Sequence, residues 1–124
     1  MEKYHRFYEL PQVVENRFKY ITITKYGIDG TPAILLTPEA VIDPNYVVAT
    51  VNLHDDGILD DGEDYVNMDV NNAPELVEVL VDFGLVKPTG LSVNSGFVNY
   101  PTMTIQYDSL TELPCKLVEV QEEN

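Results

Sequence analysis

From Arg17 to Tyr26 the sequence RFKYITITKY alternates in character and is loaded with aromatic and β-branched residues. A side-chain period of two is what a strand with two unlike faces requires, so this segment commits the chain to a sheet. Gly27, Asp29 and Gly30 follow, residues that reach the positive φ angles of a tight connection at low cost. The run from Pro32 to Thr37 then reads as the return strand of a hairpin.

Pro38 and the triplet Asp43-Pro44-Asn45 punctuate the next stretch. After it Tyr46 to Leu53, YVVATVNL, reads as a third strand whose continuous apolar character points to burial on both faces. Residues His54 to Asp64 read as an acidic, glycine-bearing loop, and Tyr65 to Val70 as a short fourth strand. A helix is expected from Asn71-Asn72 to about Phe83. Asn72 is placed to cap it, with Glu75 three residues on, Pro74 in the first turn and Gly84 at the stop. Leu76, Val77, Leu80 and Phe83 recur at helical spacing as the buried stripe, leaving Glu75, Glu78 and Asp82 on the solvated face. Lys87-Pro88-Thr89-Gly90 reads as a turn, and Leu91–Asn99, Thr102–Asp108 and Lys116–Val120 as further strands. Strands, helix, strands in that order predict an α+β fold, a mostly antiparallel sheet with one principal helix, about residues 72–83, packed on a face. With 124 residues and 44% apolar content, one domain over residues 1–124 can bury a core without disulfides or a structural metal.

The net charge of −14 is unevenly spread: residues 1–25 hold five of the seven basic side chains, and residues 26–124 hold eighteen of the twenty-one acidic ones. Such a field repels phosphate backbones and acidic lipid, so direct nucleic-acid and membrane binding are not expected. It attracts cations or the basic groove of a nucleic-acid-binding protein, and it also keeps a small protein in solution. One cysteine, Cys115, excludes an internal disulfide, and the N-terminus MEKYHRFYEL has no apolar stretch of signal-peptide length. The expected setting is the cytoplasm.

No catalytic constellation stands out. Read from Asn52, NLHDDGILDDGE matches the offsets of a calcium loop at Asp56, Gly57, Asp60 and Glu63, but has Asn and His where that loop wants hard carboxylates. His54 has no second ligand at a useful spacing, and Cys115 has no histidine placed beside it in sequence. There is no glycine-rich phosphate loop, zinc-binding helix motif or nucleophile elbow. The expectation is therefore no catalytic residues, no metal site and no cofactor. Eight of the twelve aromatics are tyrosines, a residue enriched at interfaces, and Tyr100 and Tyr107 are the pair expected at the surface.

Asn71-Asn72, a proline and helix, GLVKPTG at Gly84 to Gly90 and SGFVNYP at Ser95 to Pro101 occur in an order that resembles a family of small uncharacterised proteins from mobile elements, plasmids and phages of Gram-positive bacteria. The matching part is about a third of the chain. Leu91 and Val98 depart from the residues usual in that family. The resemblance implies an accessory protein of a mobile element and brings no catalytic residues with it. Three readings follow. The first is a non-enzymatic protein-binding accessory protein whose tyrosine-rich sheet, at Tyr100 and Tyr107, meets the partner. The second is an acidic decoy of a basic nucleic-acid-binding defence enzyme, using Asp55, Asp56, Asp60, Asp61, Glu63, Asp64, Glu75, Glu78 and Asp82. The third is a divalent-metal protein using the acidic loop.

Overall fold

The segment ahead of the expected first strand folds into a strand that the sequence patterning does not reveal. A computed structural model describes residues 4–25, 31–41, 45–52 and 65–119. In it β1 (Tyr4–Val14) pairs antiparallel with β2 (Phe18–Lys25), and β2 with β3 (Pro32–Thr37). Pro11 interrupts β1 where the register slips between Glu9 and Val14, because proline has no N–H to give a ladder. Glu15 and Asn16 turn the chain with positive φ angles of 53° and 60°, and the Arg17 N–H donates to the Val14 carbonyl at 3.1 Å. The expected β2–β3 hairpin forms, in the register Ile21↔Leu36 and Ile23↔Ile34.

The expected third strand is two strands in two sheets. β4 (Val47–Val48) pairs with β3, and β5 (Thr50–Val51) pairs with β6 (Tyr65–Met68). Ala49, fully buried between them, donates its N–H to the Ile34 carbonyl and accepts from the Asp69 N–H, each at 2.9 Å. One residue thus carries hydrogen bonds to both sheets, and its small side chain lets them meet there.

Helix α1 (Pro74–Asp82) starts two residues later than expected. Asn72 does not cap it: the Asp69 carboxylate accepts the Asn72 N–H at 3.0 Å and the Asn72 side-chain amide at 3.2 Å, fixing the turn ahead of Pro74. Gly84, at φ 74°, ends the helix, with Gly84 N–H donating to Val81 and Leu85 N–H to Leu80, the paired bonds of a Schellman stop. Leu76, Val77 and Leu80 are buried as the spacing predicts.

β7 (Val86–Ser95) and β8 (Val98–Ile105) follow, then a short helix α2 (Tyr107–Thr111) and β9 (Cys115–Glu119). Three expectations change here. Lys87-Pro88-Thr89-Gly90 is inside β7, not a turn. Leu91–Asn99 contains a hairpin turn at Gly96-Phe97, and residues 107 and 108 are helical rather than strand.

The strand orders are β4-β3-β2-β1-β9 and β5-β6-β8-β7, all antiparallel where paired. Strand accounts for 58% of the described residues and helix for 15%. The α+β expectation of a helix layer on a sheet is therefore corrected to a small, mostly β fold of two antiparallel sheets. Their shared core takes Leu10, Phe18, Ile21, Ile34 and Leu36 from the first sheet and Val66, Met68, Val86, Met103 and Ile105 from the second. Helix α1 adds Leu76, Val77 and Leu80 to this core instead of covering a sheet as a layer of its own.

Candidate binding surface

The β7–β8 hairpin is built from a stretch with an unusual composition. Residues 88–107 contain no charged side chain, in a chain of which 23% is charged. Lys87 is the sole charged residue in the four strands of the second sheet.

Local chemistry gives this hairpin its shape. Between the pairs Pro88↔Met103 and Ser92↔Pro101, three residues of β7 face one of β8. This bulge is tied down by the Thr89 hydroxyl, which donates to the Thr102 carbonyl at 2.7 Å and accepts from the Leu91 N–H at 3.0 Å. Bulges re-aim side chains, and Leu91 leaves this one exposed. Toward the tip, the Asn99 amide donates to the Ser92 hydroxyl at 2.9 Å and to the Asn94 carbonyl oxygen at 2.7 Å, linking the strands through exposed side chains. The pair Ser95↔Val98 leaves a two-residue loop in which Gly96 takes φ 63° at the first position, where a type II′ turn wants glycine. Phe97 occupies the second position and is fully exposed. At the other end the Thr102 hydroxyl donates to Asn67 on β6 at 2.7 Å, a buried bond that anchors the hairpin to the sheet.

β7 is also an edge strand. The other edges are protected: β4 and β5 have two residues each, and β9 carries Lys116 and Glu119. β7 is ten residues long, and its guards, Lys87, Pro88 and the bulge at residues 89–91, all precede Ser92, leaving residues 92–95 without one.

The structure does not assemble the sites expected from sequence. Tyr100 is 9% exposed and faces Val93 across the hairpin, so the expected exposed pair is corrected to Tyr107 alone, at 39% in α2. Strand alternation places Tyr100 on the same side as the buried Thr102, which accounts for its burial. Asp55, Asp56, Asp60, Asp61, Glu63 and Asp64, with the calcium-like loop, lie outside the described residues. Glu75, Glu78 and Asp82 are exposed on α1, but only Glu75 and Asp82 line the groove between α1 and the end of β1. Among the described residues no group of three His, Cys, Asp or Glu is placed to hold a metal ion, and no helix is long and apolar enough to cross a membrane. Sequence reasoning passes over Phe97 because it places the residue inside an expected strand, Leu91–Asn99; the charge-free run around it is the signal that finds it.

Compared with family models, with curated proteins and with solved structures, the chain has no match.

Proposed function

We propose that the chain is a non-catalytic protein-binding module that meets its partner through the β7–β8 hairpin. The observation that carries this reading is a charge-free stretch folded into a long sheet edge with a fully exposed phenylalanine at its tip. Interface centres are depleted of charge and enriched in aromatic anchors, whereas a surface serving only solubility carries charge throughout. Asn, Ser and Thr beside Phe97 and Leu91 supply adaptable hydrogen bonds around apolar anchors, and the outer backbone of β7 can accept an added strand. The family resemblance implies an accessory protein of a mobile element, and the single cysteine favours the cytoplasm as its setting.

The test is affinity capture from host lysate with the native chain and Phe97→Ala, at low and high salt. A partner retained at high salt and lost with Phe97→Ala is the expected result. A partner held equally by both proteins, or one released by salt alone, contradicts the hairpin reading.

A second reading, the acidic decoy, draws on exposed Glu75, Glu78 and Asp82, none of which has an ion pair among the described residues. It expects capture of a basic partner that salt abolishes.

A further inference from the structure

A groove made of residues that the hairpin does not use runs between the end of β1 and α1. Its volume is about 530 Å³, within the range of sites that hold a small ligand or a few side chains. Two kinds of wall enclose it. Val13, Val79 and Phe83 are apolar; Val79 and Phe83 are half-buried against the core, while Val13 is 53% exposed. Glu15, Glu75 and Asp82 bring three exposed carboxylates, and no cationic side chain lines the space. Glu15 has a partner, Arg17, at 3.7 Å, whose guanidinium lies over the Phe18 ring. Glu75 and Asp82 have no counter-ion among the described residues.

An apolar floor of Val13, Val79 and Phe83 beside the uncompensated carboxylates of Glu75 and Asp82 complements the opposite arrangement, a cation carried beside an apolar group. An anion in the same space meets three like charges, and a wholly apolar ligand desolvates carboxylates without giving them a donor. We propose that this groove docks a basic amphipathic segment of a partner protein. An aliphatic side chain of that segment sits on Val13, Val79 and Phe83, and an Arg or Lys reaches Glu75 and Asp82. The groove is independent of the hairpin and can be tested without knowing the hairpin's partner.

The probe is a fluorescently labelled helical peptide with Leu on one face and Arg flanking it, read by anisotropy against the same peptide with Glu in place of Arg. Two doubly substituted chains of equal net charge separate groove binding from general attraction to a polyanion: Glu75→Gln with Asp82→Asn, and Glu78→Gln with Glu112→Gln, both of the latter exposed and outside the groove. Loss of the groove carboxylates should weaken the Arg peptide about tenfold, and loss of the control pair less than about twofold. Val13→Ser should also weaken it, with the circular dichroism spectrum unchanged, and Phe97→Ala should leave it bound. Equal weakening by the two pairs, or no binding of the Arg peptide to the native chain, overturns the proposal.

Discussion

The two sheets use charge in opposite ways. The first spreads it along its strands, with Arg6 and Glu9 on β1, Lys19 and Lys25 on β2, and Lys116 and Glu119 on β9. The second carries Lys87 and nothing else. Exposed apolar residues occur on both, but Tyr4 and Leu117 stand among charges, whereas Leu91 and Phe97 lie in a run that contains no charged residue. In a chain of net charge −14, a ten-residue edge strand with a single charged side chain is the exception. Charge on an edge strand guards against unwanted pairing, and β7 carries only Lys87, near its start, which is the ground on which the proposed function places docking there.

Two phenylalanines give the largest contrast. Phe18 is fully buried at the start of β2, and Phe18→Ala should cost about 3–5 kcal/mol in urea denaturation. The same truncation at Phe97 should leave the urea midpoint within about 0.5 kcal/mol and remove partner binding. A marked loss of stability in Phe97→Ala would mean that the tip is structural, and the contrast between the sheets would fail.

Ala49 tests how the sheets are joined. Ala49→Leu forces a larger side chain into a fully buried joint and should cost about 1–3 kcal/mol. Hydrogen exchange should show protection falling in β3 and β6 together, because Ala49 bonds to the Ile34 carbonyl and the Asp69 N–H. Loosening of one sheet alone would show that Ala49 does not couple them.

The two hairpin turns should respond with opposite signs. A Cβ at Gly96 meets no atom within 4 Å, so the cost of Gly96→Ala is the strain of a Cβ against its own backbone at φ 63°, about 1–2 kcal/mol. Glu15 already bears a side chain at φ 53°, so Glu15→Gly should gain up to about 1 kcal/mol. Denaturant midpoints moving in the same direction for both would show that φ does not govern these turns.

The smallest effect belongs to Lys116. Its hydrogen bond to Tyr20, with the Tyr20 charge and Glu9 adding to it, holds its pKa above the ordinary 10.5. A raised pKa in the folded state means that this contribution is complete below 10.5 and fades as pH rises through the higher folded value. Tyr20→Phe should return Lys116 toward its ordinary value in a side-chain nitrogen titration by NMR. An unchanged titration would remove Tyr20 as the cause.

The legible parts of the fold were those where side-chain pattern and backbone demand coincide. The alternation of Phe18–Lys25, the apolar spacing of Leu76, Val77 and Leu80, and the stop at Gly84 each declared an element that formed. β1 was hidden because Pro11 and the register slip break its alternation. YVVATVNL read as one strand because periodicity does not show a change of sheet at a single small residue. Lys87-Pro88-Thr89-Gly90 puts turn residues inside a strand, where Thr89 and Gly90 belong to a bulge, and Leu91–Asn99 conceals a loop only two residues long. The α+β expectation followed from those omissions. At the surface, net charge drew attention to where acid is concentrated, while the hairpin is distinguished by where charge is missing.

The central claim is that the β7–β8 hairpin, charge-free from Pro88 onward, is the binding surface. The most direct measurement places a photoreactive phenylalanine analogue at Phe97 or, separately, at Leu117, exposed residues in the β7–β8 turn of the second sheet and on the edge strand β9 of the first. Irradiation in host lysate at high salt, followed by mass spectrometry, should yield one discrete protein adduct from position 97 and none from position 117. An adduct from position 117 with none from position 97, or the same adducts from both, would contradict the account.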